Sequence, residues 1–376
     1  MRCTRILLAA ASLAATVDAH AYVPKGIRAR ASSPLEVTLA PAAGGGVAEL
    51  VATIKNVGGE DLNLLKVGTI LDDVLPIQKV SIVDEAGVEA QFQGIEASLR
   101  HDALKPEHFV LVKASGSVST TIRAAPVHEF PHSGTYTFSA AGLLPVARPG
   151  STTLVGPALE FQSNQVQLAV SAAAAAAVPR ALQPADGAAA AGLEARTNLQ
   201  PGCSAERTAA TEAALADCAQ LAAAAAAEAA DASSARFVEY FGTNETAARA
   251  EVATRLERAA AECGTTDAGV SRFYCFDYYG ICELEGPLNA YTLWSFDTVV
   301  ACPLFFEALP ALPPACHRQC RATTAVHEMT HCEGLYSPHT NDWAYGYNES
   351  VALPPDRALM NADNYSLFAN AVYLDC

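Results

Sequence analysis

The chain has 376 residues, 51% of them apolar, and a formal charge of −16 from 24 basic and 40 acidic side chains. That length and apolar content suffice for about two domains with cores of their own. The charge excludes a surface built for nucleic acid or anionic membranes and suits cationic polypeptides, although an acidic surface kept for solubility alone stays open.

The chain starts with "MRCTRILLAAASLAATVDAHAY": Arg2 and Arg5, an apolar run from Ile6 to Val17, then small residues suited to cleavage after Ala19 or Ala21. This is the pattern of a secretory signal, assigned to residues 1–19, and it predicts a secreted, extracellular product. No later segment supplies the roughly 18 consecutive apolar residues of a membrane span. From Leu35 to about Ser151, "LEVTLAP", "AELVATIKN", "VSIVDEAG", "HFVLVKASGS", "VSTTIRAAP" and "GTYTFSAAG" alternate apolar and polar residues between turn signals. Period two with that punctuation predicts an all-β, sandwich-like domain over residues 20–170.

Residues 171–196, rich in Ala, Pro and Gly, have too little apolar bulk to pack and are expected to be a protease-sensitive linker, with Arg180 and Arg196 as cut points. Beyond it, residues 197–376 carry nine Arg, no Lys and 23 carboxylates, a net −14 that leaves −2 for the remainder. The Ala-rich runs starting at Ser204 and Asn244 have helical periodicity and end near Gly. "RFYCFDYYGICE" and "NAYTLWSFDTVVACP" predict a small hairpin-like sheet, and helix returns from Thr323. This half should therefore be mainly α with a small β-sheet. After Cys3, all ten cysteines lie between Cys203 and Cys376, an even number that predicts a disulfide-stapled second half in an oxidising compartment. Cys218 with Cys263 could join two helices. Asn244, Asn348 and Asn364 each begin an Asn-x-Ser/Thr sequon and are glycosylation candidates.

His-Glu-x-x-His occurs twice, in "VHEFPHSG" from Val127 and "VHEMTHCEG" from Val326. Histidines at i and i+4 face the same way on a helix and can reach one zinc, with the Glu beside the attacking water. Pro131 stands between His128 and His132 and costs about 3 kcal/mol in a helix interior, so the first match is expected to be a chance pattern in a loop. No Pro or Gly interrupts the turns around His327 and His331. A third ligand is needed, and three candidates follow the motif: His339, Glu349, and Asp342 within "HTNDWAYG".

"HEMTH", "TNDWAYGY" and the closing "MNADNYSLFANAVYLDC", together with "GGEDLNLLKVGTILDD" in the first half, resemble the deuterolysin family of fungal secreted zinc endopeptidases, the aspzincins, over nearly the whole chain. The resemblance implies a precursor: propeptide domain 20–170, linker with processing site 171–196, and a zincin-like metallopeptidase domain 197–376 that holds one Zn2+. It implies His327, His331 and Asp342 as ligands, Glu328 as general base, and Tyr345 as hydrogen-bond donor to the tetrahedral oxyanion. His339 departs from the Gly usual in the ligand loop, where positive φ is easier for Gly. Asp363 matches a specificity-pocket Asp of the peptidyl-Lys branch, but Ser366 replaces its Glu, so a preference for basic substrates rather than strict Lys selection is expected. The family pattern also implies the pairs Cys203–Cys275, Cys282–Cys302 and Cys316–Cys376, leaving Cys218, Cys263, Cys320 and Cys332 open; Cys320 and Cys332 are 12 residues apart, about 18 Å along a continuous helix and beyond the roughly 7 Å limit of a bridge.

The expected partners are protein or peptide substrates and the chain's own propeptide as inhibitor or folding aid, with no nucleic acid, no membrane and a monomeric state. The propeptide has no cysteine after Cys3, so a thiolate cap on the zinc is excluded as the source of latency. The rival class is a non-catalytic, disulfide-rich binding module on a degenerate protease fold, which retention of Glu328, Asp342 and Tyr345 with both histidines speaks against.

Overall fold

The computed structural model describes residues 33–183, 198–284 and 286–376, so the signal-like segment 1–19 and the candidate cut point Arg196 lie outside the described residues. Strand β1 (Leu35–Pro41) buries every second residue, as its alternation requires, and pairs antiparallel with β2 (Glu49–Asn56) from Leu35↔Asn56 to Pro41↔Leu50. The short strands that follow are β3 (Leu62–Leu65), β4 (Ser81–Val83), β5 (Glu96–Leu99), β6 (Phe109–Val112), β7 (Ser117–Arg123), β8 (Gly134–Ser139), β9 (Ala141–Leu144), β10 (Val146–Ala147), β11 (Leu159–Gln162) and β12 (Val166–Val170).

Expected as one sandwich, this region instead forms four small antiparallel sheets, ordered β1-β2-β7, β10-β3-β6, β12-β8-β4 and β11-β9. Each of these sheets has only two or three strands, so none of them spans the region by itself. They share one apolar cluster in which Leu50, Ile54, Leu64, Ile82 and Phe138 are fully buried. One strand, β5, belongs to none of the four.

The segment expected to be a linker opens with a helical turn, α1 (Ala172–Ala176), capped by the Ser171 side chain. The first Ala-rich run divides in two. Helix α2 (Ala205–Ala230) ends at Asp231, and Ser234 caps α3 (Ala235–Phe241), which Gly242 ends in the left-handed conformation at φ 65°. Helix α4 (Thr246–Cys263) packs on α2, where Ala214, Ala222, Ala225 and Ala229 are 2% exposed or less. Small side chains on the facing surfaces let two helices approach closely, and Cys218–Cys263 joins the pair with Cα atoms 5.9 Å apart.

The predicted small sheet comprises β13 (Arg272–Tyr274), β14 (Leu288–Leu293) and β15 (Thr298–Ala301); β14 and β15 form the hairpin, and β13 runs parallel to β15. Its fourth strand is β5, so the order is β13-β15-β14-β5. After α5 (Pro303–Glu307), helix α6 (Arg321–His331) crosses the core with ten of its eleven residues buried. Its first turn is closed by Cys320 and Thr323, whose side chains each bond the other's backbone N–H. Helices α7 (Tyr347–Ser350), α8 (Pro355–Ala358) and α9 (Ala362–Leu374) complete the chain, with α9 packed against α6.

The three family-implied disulfides form: Cys203–Cys275, Cys282–Cys302 and Cys316–Cys376, with Cα separations of 5.8, 5.4 and 6.4 Å. Cys320 and Cys332 are buried thiols. No described helix is long and apolar enough to cross a membrane.

Candidate metal centre

An unbroken α6 places His327 and His331 one turn apart, and both rings turn their Nε2 atoms toward the loop that follows the helix. Asp342 Oδ1 lies 3.1 Å from His327 Nε2 and 3.4 Å from His331 Nε2. Close as they are, neither contact has hydrogen-bond geometry: both Nε2 atoms and both Asp342 oxygens are buried without a hydrogen-bond partner. Buried acceptors that converge without a proton between them are what a cation satisfies. Ligand atoms of these three residues all lie within 4.8 Å of one another. Two imidazoles and one carboxylate, leaving a corner open, are a donor set suited to catalytic zinc.

The other ring nitrogens are held in place. His327 Nδ1 is 3.1 Å from Asp363 Oδ1, and His331 Nδ1 is 2.8 Å from the Thr340 carbonyl. A proton on Nδ1 satisfies each acceptor and fixes the tautomer whose Nε2 lone pair faces the centre. In the metal-free chain burial opposes a charge on Asp342, but the positive charge of protonated His331 and His327 outweighs it and holds the carboxyl far below the usual range.

Glu328, fully buried, accepts a 2.6 Å hydrogen bond from Thr292 on β14 at Oε2 and leaves Oε1 unpartnered. Burial pushes its carboxyl up, against the opposing pull of His327 and His331. That is the disposition of a general base: one oxygen anchored, the other free to take a proton.

Tyr345 lies beside the same centre, its ring 6.2 Å from that of His327, and its hydroxyl donates to the Ala97 carbonyl on β5. Burial, then Asp342, raises its phenol well above the usual value, so it stays a donor. Next to Ala97, Glu96 lines a cavity together with Asp342 and Tyr345. Burial, then the Asp342 charge, pushes the Glu96 carboxyl up to about 8.

Asp363 has both oxygens engaged: Oδ1 with His327 and Oδ2 with the Gly346 amide at 2.6 Å. It also lines, with Ser366, a cavity of about 280 Å³ into which the first half brings Arg100 and His101. Of the rival third ligands, His339 pairs with Glu333 at 2.9 Å and stacks on Trp294 at 4.1 Å, with no positive φ in its backbone. Glu349 stands apart from the convergent group. The first His-Glu-x-x-His match is not helical: it follows a turn, buried His128 bridges Phe92 and approaches the Ala124 carbonyl, and the chain runs on without regular structure to exposed His132, which pairs with Asp84.

Asn244 and Asn348 are exposed, whereas Asn364 is fully buried and its amide donates to the Tyr240 and Ser350 carbonyls. The folded chain cannot present Asn364 to a glycan, so that sequon is set aside. Arg180 donates to Ala125, His128 and Gln93 rather than lying free. Thr292, Thr340 and Glu96 escape a reading of the sequence. Nothing local marks a Thr that bonds a Glu 36 positions away, or a strand whose carbonyl meets a hydroxyl 248 positions on.

The model of the deuterolysin metalloprotease (M35) family matches residues 1–376. A neutral protease 2 homolog of Botryotinia fuckeliana is 40% identical over 100% of both chains. One from Sclerotinia sclerotiorum is 42% identical over 91% of each, and one from Aspergillus oryzae 37% identical over 99% of this chain and 100% of its own. Among solved structures, a zinc peptidase from Grifola frondosa aligns at 23% identity and TM-score 0.37, covering 45% of this chain and 97% of its own.

Proposed function

From the premise that this chain belongs to the deuterolysin metalloprotease (M35) family, and so is a metalloendopeptidase, we propose a secreted zinc endopeptidase made as a zymogen, with His327, His331 and Asp342 as ligands. The observation that carries this reading is the convergence of their partnerless donor atoms beside the free Oε1 of Glu328. Zinc supplies the Lewis acid that polarises a scissile carbonyl and acidifies water. Glu328 takes the proton of the attacking water at Oε1 while Thr292 restrains Oε2, and it later hands that proton to the leaving amine. The Tyr345 hydroxyl, once the Ala97 carbonyl has left it, donates to the developing oxyanion.

In this reading Asp363 positions His327 rather than selecting a basic side chain. The preference for basic substrates then rests on the −14 charge of residues 197–376. The maturation cut falls at Arg196, because the side chain of Arg180 is tied down by three acceptors.

The test uses the processed protein on casein and histone. Cleavage should stop with a chelator and return with Zn2+, and Glu328→Gln should keep its metal while losing on the order of 10²- to 10⁴-fold in kcat. Full activity in chelator, or in Glu328→Gln, would remove the zinc-and-glutamate mechanism, and no cleavage by the processed, zinc-loaded protein would return the chain to the non-catalytic binding class.

A further inference from the structure

Two residues with different tasks share one loop. On the zinc reading above, Asp342 binds the metal and Tyr345 donates to the oxyanion, so the distance between them has to be fixed. Residues 332–346, between α6 and α7, form no helix or strand that could fix it beyond a single bridge at Asn341. The loop is held from outside, by the segment that leads into α9.

The first grip is backbone to backbone. Asn341, next to the ligand, donates its N–H to the Met360 carbonyl at 2.8 Å and accepts from the Ala362 N–H at 3.1 Å, a parallel bridge centred on Asn361. The second grip is the Asn361 side chain. Its Oδ1 accepts from the Ala344 N–H at 2.9 Å, and its Nδ2 donates to the Ala344 carbonyl at 2.9 Å. One amide thus satisfies both backbone groups of the residue before Tyr345, as a strand partner would. On the far side of Tyr345, the Gly346 N–H is held by Asp363.

Asn361 has no slack. It is fully buried, and Nδ2 also donates to Asn364 Oδ1 at 2.7 Å. These bonds fix which side of the amide is nitrogen, because a flipped amide would set NH2 against the Ala344 N–H and oxygen against two acceptors. Ala344 is buried as well, so without the clamp its N–H and C=O lose their partner away from water. Asn361 is also the N-cap of α9, where an Asn commonly accepts from its own helix, yet its side chain makes no cap bond. It reaches the loop instead.

On that zinc reading, we propose that Asn361 is a positioning residue: by clamping Ala344 while its own backbone pairs with Asn341, it sets where the Tyr345 hydroxyl stands relative to Asp342. It acts through Tyr345 and touches neither substrate nor metal. Once the Ala97 carbonyl has left that hydroxyl, the clamp on the backbone keeps it aimed.

The test is a double-mutant cycle on the processed protein with casein, run beside zinc binding and hydrogen exchange. Asn361→Ala should lower kcat about 10-fold with KM within about 2-fold, and Tyr345→Phe should lower kcat about 100-fold. Added to Tyr345→Phe, Asn361→Ala should cost less than about 2-fold more, since the hydroxyl it positions is gone. Zinc affinity of Asn361→Ala should hold within about 3-fold, short of the roughly 10- to 100-fold lost with a ligand's own partner, because the backbone grip on Asn341 remains. Hydrogen exchange of the metal-free full-length chain should quicken across residues 342–346 and not in α6. Asn361→Asp, nearly isosteric but without the Nδ2 donations, should repeat this pattern. Losses that multiply in an active, zinc-loaded parent overturn the proposal and leave the zinc reading intact. Failure of both Asn361 variants to take up zinc also overturns it, by making Asn361 a residue of the fold as a whole. A parent that binds no zinc and cleaves nothing takes down the zinc reading, and the proposal with it.

Discussion

Asp363 shows how a residue of apparent specificity becomes one of geometry. The sequence places it where a relative would recognise a lysine, yet its two oxygens are bonded to the His327 ring and the Gly346 amide. Asp363→Asn keeps one acceptor and turns an NH2 toward either the imidazole N–H or the Gly346 N–H. We expect metal affinity to fall by about 10- to 100-fold and kcat with it, while KM for basic and neutral peptides changes alike. Isothermal titration with zinc and paired peptide kinetics check this; a selective rise in KM for basic peptides at unchanged zinc affinity would restore the specificity role. At this scale the ligands themselves were legible, because an i, i+4 histidine pair announces its own geometry. Thr292 and Glu96 were not, since hydrogen bonds across 36 or more positions leave no local pattern.

Elements decide what such a pattern means. The two His-Glu-x-x-His matches differ in their backbone: α6 presents both imidazoles to one point, whereas the other match, with Pro131 inside it, runs extended from the Phe92–His128 bridge and is not helical. There His128 is buried, and burial, with Arg180 nearby, pulls its pKa from 6.5 down to about 4. The folded pKa lies below the unfolded one, so the unfolded chain binds the extra proton. The resulting stability is fully present above about pH 6.5 and is lost as pH falls toward about 4, a change of roughly 3 kcal/mol. Urea unfolding of the intact chain at pH 7, 5.5 and 4 should show that loss, and His128→Leu should flatten it; parallel pH profiles for the two would refute the assignment. Strand alternation located β1, β2 and β7 well, because each has one wet face. It missed β5, whose Ala97, Ser98 and Leu99 are all buried, leaving no wet face to alternate with.

Across the whole molecule, Ser33–Cys376 behaves as one compact unit because a sheet and an apolar cluster span both halves. Ion pairs Arg318–Asp102 at 3.5 Å and Arg357–Glu160 at 2.9 Å add exposed links between them. Exposed pairs contribute about 0–1 kcal/mol each, so the β5 pairing and the shared cluster dominate. Cutting the chain within residues 184–197 should therefore leave the halves associated: a nicked sample should elute from gel filtration at the intact volume even in 0.5 M salt. Immediate separation on nicking would mean that the linker, not the interface, holds them.

By itself the sequence located the candidate chemistry: which helix bears the two histidines, which glutamate stands between them, which half is stapled and which must hold without disulfides. These follow from spacing, turn residues and cysteine count, all of which act over a few positions or along the chain. Only the tertiary structure decided that a strand from the first half closes the sheet of the second, that Asp363 is bonded to the His327 ring, and that Tyr345 donates to Ala97. The reason is physical: a strand's partner and a buried carboxylate's neighbours are set by how distant segments pack, and the local pattern carries no record of it.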